Sequence, residues 1–101
     1  MYNEIHEESL KSMESVESGF AGGGYIKIYP DRSEKEQVYH LIEELRKIDR
    51  LFVSDGYFYP IHEGGVSLEK KQAYANTFVT LLKEKGIVSR PVIKPYHYDP
   101  V

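Results

Sequence analysis

The sequence predicts an α+β domain built as a two-layer sandwich, with elements in the order β, α, β, β, α, β after an acidic N-terminal helix. Three observations carry this: the alternating run Tyr25-Ile26-Lys27-Ile28-Tyr29, the recurrence of Val38, Leu41, Ile42, Leu45 and Ile48 at three- and four-residue steps, and Asp55-Gly56 set between two β-prone runs. The 101 residues, 41% hydrophobic and 29% charged, suit one domain with one core.

Residues 3–18 are expected to be helical, with Asn3 as N-cap and Ile5, Leu10, Met13 and Val16 on a ragged apolar side. Glu4, Glu7, Glu8, Glu14 and Glu17 stand against Lys11 alone, so residues 1–20 carry −4 and the rest of a chain of net charge −3 sums to +1. Ala21, Gly22, Gly23 and Gly24 suit a hinge. The run from Tyr25 to Tyr29 is a strand stopped by Pro30, with Ile26 and Ile28 on one face. Ser33 and Glu36 form a Ser-x-x-Glu capping box for the helix that follows.

A tight Asp55-Gly56 turn pairs Ser54 with Tyr57, Val53 with Phe58 and Phe52 with Tyr59. That register puts Val53 and Phe58 on one face and Phe52, Ser54, Tyr57 and Tyr59 on the other. Ser67 is the expected N-cap of a helix whose inward stripe is Ala75, Phe78, Val79 and Leu82 and whose terminator is Gly86. Residues 88–94 form a last strand, confined to an edge by Pro91 and Pro95. Two right-handed crossovers around a central hairpin give the ferredoxin-like arrangement, with winged helix as the structural alternative. The expected organisation is an acidic helical appendage at 1–20, a hinge at 21–24, a sandwich at 25–96 and a tail at 97–101.

Composition narrows the function. With no Cys, disulfides, thiolate catalysis and sulfur-bound zinc are excluded. His6, His40, His62 and His97 never occur four residues apart on one helix, so no metal or other cofactor is implied; His97 beside Asp99 lies in a proline-flanked tail. No stretch has the pattern of a leader or a membrane span, and a cytoplasmic protein without a membrane partner is the expectation. Gly64, Gly65 and Ser67 before a helix could hold an anion, without P-loop spacing.

If the helices cover Ile26, Ile28, Val53, Phe58 and Ile93, the opposite face gathers Tyr25, Lys27, Tyr29, Phe52, Tyr57, Tyr59, Arg90 and Lys94. So many rings in water call for a cover. The N-terminal helix folding back across the hinge is one candidate, its glutamates near Lys27, Arg90 and Lys94. A protein partner or a second copy is another, since Tyr, Phe and Arg are typical of interface cores. The expected function is therefore a non-catalytic interaction or regulatory module of the inhibitor or adaptor type. Single-stranded nucleic acid is the alternative, because the layout is similar to RNA-recognition modules, although the strand at Tyr57 lacks their basic, glycine-containing motif. A small enzyme or small-ligand domain is the second alternative, with no catalytic residue set to carry it.

Overall fold

The computed structural model describes residues 1–96; the tail at 97–101, with His97 and Asp99, lies outside them. Three helices and a four-stranded antiparallel sheet make up the chain: α1 (Tyr2–Met13), β1 (Gly22–Ile28), a 3₁₀ turn at Pro30–Arg32, α2 (Lys35–Lys47), β2 (Phe52–Val53), β3 (Tyr57–Pro60), α3 (Leu68–Glu84) and β4 (Ser89–Pro95). The strands lie in the order β2-β3-β1-β4, every neighbouring pair antiparallel. Both borders are poor: β2 has two residues, and β4 carries Pro91 and Pro95.

The core lies between the helices and one sheet face. Val38, Leu41, Ile42 and Leu45 of α2 and Tyr74, Ala75, Phe78 and Leu82 of α3 share this core with Ile26, Ile28 and Tyr59 of the sheet. Ile48, expected on the inward stripe, is the C-cap of α2 and is exposed.

Local chemistry fixes the ends. Glu34, not Ser33, caps α2: its carboxylate accepts the Glu36 and Gln37 N–H groups. Ser33 instead ties two segments, donating to the Tyr29 carbonyl and accepting from the Val88 N–H. Ser67 caps α3 through the Lys70 N–H, and Gly86 at φ 79° ends it. There the Gly86 and Ile87 amides bond to the Lys83 and Leu82 carbonyls, closing a Schellman motif.

Two expectations about the N-terminal part are corrected. First, α1 starts at Tyr2 and ends at Met13, and it does not cross the sheet. It packs along α3 and touches α2, sinking Tyr2 and Ile5 into the common core. Burial of that side outweighs any pairing of its glutamates with the sheet cations. Glu69 of α3 then holds the Gly19 and Phe20 amides where the chain turns toward β1.

Second, Gly22, Gly23 and Gly24 are not a hinge but the first part of β1, paired with Pro95, Lys94 and Ile93. A Cβ on Gly24 would collide with the Val92 carbonyl, and one on Gly22 would press on the Lys94 carbonyl and Leu68. The strands approach closely here, so side chains are excluded. Gly24→Ala is expected to cost about 2 kcal/mol through forced separation of β1 and β4. Urea denaturation gives the loss, and faster hydrogen exchange in β4 would locate it; an unchanged midpoint would show that the strands separate freely.

Candidate functional site

The sheet register decides which side chains share a face. β1 pairs Tyr25 with Pro60, Ile26 with Tyr59, Lys27 with Phe58 and Ile28 with Tyr57. β2 pairs Phe52 with Phe58 and Val53 with Tyr57, so the loop is the three residues Ser54, Asp55 and Gly56, with φ 52° at Asp55 and 152° at Gly56. This is one residue longer than the tight turn expected. A one-residue change reverses the alternation of the paired strand. Tyr57 and Tyr59 therefore face the helices, while Phe58 faces away from them. Tyr59 is fully buried, and Tyr57 packs against the core edge. Val53, paired with Tyr57 on the short edge strand, is exposed rather than buried.

The face turned away from the helices holds Tyr25, Lys27, Phe58, Phe52, Arg90, Val92 and Lys94. The last three are placed by the pairs Lys27 with Arg90, Tyr25 with Val92 and Gly23 with Lys94. Tyr25 meets Phe58 edge to face at 5.1 Å and 88°, and Phe52 tilts against Phe58 at 6.4 Å with 59% of its own surface exposed. The Lys27 amine lies 5.7 Å from the Phe58 ring centre and 5.3 Å from that of Tyr29. Arg32 packs on Tyr29 too, at 5.1 Å. Thus Tyr25, Lys27, Phe52, Arg90 and Lys94 come together as expected and Tyr29 joins at the end of β1, whereas Tyr57 and Tyr59 do not. Phe58 was missed. Extending the alternation from Tyr57 and Tyr59 to the buried Ile61 would have found it.

A second cluster, also unforeseen, lies inside. Tyr2 and Tyr59 hydroxyls are 2.8 Å apart, Tyr59 and Tyr74 2.7 Å, and the Tyr74 hydroxyl is 2.7 Å from His6 Nδ1. Arg50 spreads over the Tyr59 ring at 4.5 Å, grips Glu63 with two bonds of 2.9 and 3.0 Å, and donates to the Pro60 carbonyl at 3.0 Å. The Lys71 ammonium donates to the Ile61 and Glu63 carbonyls at 2.7 and 2.9 Å. Burial, then the neighbouring tyrosine, keeps Tyr59 protonated far above the ordinary phenol range; burial does the same at Tyr74. At Glu63 burial pushes the carboxyl up, but the Arg50 hydrogen bonds outweigh it and hold the carboxyl below its ordinary value. Burial lowers Lys71. The Tyr2, Tyr59 and Tyr74 hydroxyls each have a partner, and Tyr59 and Tyr74 have no exposed surface, so the cluster ties α1 and the β3–α3 loop to the core.

The amides before α3 are likewise engaged within the chain. Ser67 N–H bonds to the Gly64 carbonyl, Leu68 N–H to the Phe20 carbonyl and Lys70 N–H to the buried Ser67 side chain, so Ser67 serves as the cap of α3, with Gly64 and Gly65 at positive φ in the turn before it. Among the described residues no group of three His, Asp or Glu is placed to hold a metal ion, and no helix is long and apolar enough to cross a membrane. No protein-family model, curated protein or solved structure matches the chain.

Proposed function

We propose that this chain is a non-catalytic interaction module, an inhibitor or adaptor, that takes a partner protein on the bare face of its sheet. The observation that carries the reading is that Tyr25, Phe58 and Phe52 lie together on the side away from the helices, with α1 packed elsewhere. A run of rings in water is costly for a lone domain and suits an interface centre. The strand order, with both crossover helices contributing to one core, supports the ferredoxin-like assignment; α1 is then an addition to the helical layer. A cytoplasmic setting belongs to the same proposal.

The single-stranded nucleic acid alternative draws on Tyr25 and Phe58 standing on the two central strands beside Lys27 and Arg90. It is the weaker reading. Base stacking needs open ring faces, and the edge-to-face contact of Tyr25 and Phe58 turns one ring edge-on to the other.

Affinity capture from the producing cell tests the proposal with three baits. The double variant Tyr25→Ser/Phe58→Ser is expected to fold, with its thermal midpoint lowered by no more than roughly 15 °C, and to lose the captured protein. Ile48→Ser, an exposed change on α2, is expected to retain it. Equal capture by all three would sink the reading.

A further inference from the structure

We infer that the surface received by this face is acidic as well as apolar and belongs to a different protein, not to a second copy of this chain; this rests on the reading of the face as a protein-docking surface. The charge layout is the ground. Lys27 and Arg90 are cross-strand neighbours, Lys94 lies on the same face, and Arg32 packs on the Tyr29 ring that Lys27 also covers. None of these four takes part in an ion pair among the described residues. The pairs that do form, Met1 with Glu4 and Glu44, Lys11 with Glu8 and Arg50 with Glu63, and the close contacts of His6 with Glu63 and His40 with Glu44, lie on the helical side or in the loops joined to it.

No Asp or Glu occupies a position on β1, β2, β3 or β4. At the rim of the face Asp31 and Asp55 line one pocket with Lys27 and Arg32; with these two carboxylates and the four cations set aside, nine basic side chains remain elsewhere against 14 acidic ones. The strands of the bare aromatic face are therefore positive, with Lys27, Arg90 and Lys94 and no carboxylate among them, while the acidic excess lies off the strands, a distribution that steers an acidic surface toward the sheet.

The same layout disfavours self-association. Two copies joined face to face about a twofold axis bring the same three strand cations, Lys27, Arg90 and Lys94, to both sides of the seam, with no carboxylate on any strand to pair them. Joined head to tail, the outer side of α1 offers Glu4, Glu7 and Glu8 to the cations, but only the half-buried Met1 and Leu81 stand beside them to meet Phe52, Phe58 and Tyr25. A partner that supplies carboxylates around leucine or aromatic side chains satisfies both halves of the face.

Two-dimensional NMR titration of the full chain tests this with three probes: a peptide alternating Glu with Leu and Phe, its Gln-substituted counterpart, and oligothymidine. The acidic peptide is expected to shift the Gly23, Tyr25, Lys27, Phe58 and Arg90 amides. Its affinity should fall at least several-fold between about 20 and about 200 mM salt, where screening shortens. Lys27→Glu/Arg90→Glu should weaken it by more than about tenfold. Equal binding of the neutral peptide at these amides would overturn the acidic partner while leaving the docking face intact. Tighter binding of oligothymidine would replace a protein with a nucleic acid. Binding of the acidic peptide elsewhere, or of no probe, would overturn both readings. Sedimentation at low salt is expected to show a monomer; dimers or longer assemblies abolished by the charge-reversal variant would assign the face to a second copy.

Discussion

Tyr59→Ala is expected to cost about 4 kcal/mol, the range for removing a buried aromatic side chain, a large part of the roughly 5–15 kcal/mol that holds a small domain folded. Tyr59 has no exposed surface, stacks on Phe78 at 4.8 Å, meets Tyr2 at 5.9 Å and lies under Arg50. Its removal empties the junction of α1, α3 and the sheet. Phe58→Ala, one residue away on the other face, is expected to cost about 1 kcal/mol. Tyr59→Phe should fall between them, at about 2 kcal/mol, because the Tyr2 and Tyr74 hydroxyls lose their shared partner. Urea denaturation of the three variants reads this order directly. Similar losses at Tyr59 and Phe58 would contradict the register that separates them.

Glu63→Gln is expected to cost about 2 kcal/mol at neutral pH, the range for losing hydrogen bonds between charged groups, since the half-buried Arg50 then keeps its charge over the Tyr59 ring with an amide in place of the carboxylate and the Pro60 carbonyl as its remaining partner. The effect carries a pH signature. The folded-state carboxyl of Glu63 lies below its ordinary value, so folding favours the ionised form. That contribution is complete above the unfolded carboxyl range near pH ~4.3 and is lost as pH falls through the lower folded value. The stability gap between parent and Glu63→Gln should therefore be level above about pH 5 and close on further acidification. Thermal melts at several pH values measure it. A gap that persists unchanged at pH ~3, or widens there, would show that the carboxylate is not what the pair contributes.

The parts of this fold legible in the sequence are those whose signal is local and repeated. The stripe on α2 and the alternation of Ile26 and Ile28 report burial directly, and Pro91 and Pro95 point to an edge because a proline cannot donate to a second neighbour. What depends on a single residue of register did not show. Asp55-Gly56 signals a reversal without saying whether Ser54 belongs to the strand or the loop, and that one position turns Tyr59 into the core, Tyr57 to its edge and Phe58 out of it. The glycines at 22–24 were legible as unusual backbone, but the same absence of side chains serves a hinge and a tight strand approach equally. Only the Val92 carbonyl distinguishes them. The buried polar chain draws His6, Arg50, Glu63 and Tyr74 from four separate stretches, and no spacing in the sequence links them. The basic character of the face, by contrast, was already present in Lys27, Arg90 and Lys94.

The two borders of the sheet govern what the chain does when crowded. A two-residue strand offers too little ladder for a neighbour to grow on, and the prolines at the other border withhold donors from any incoming ribbon. Strand-on-strand accretion thus finds two residues of ladder at one border and gapped donors at the other, so the fold resists ribbon growth at both ends of its sheet.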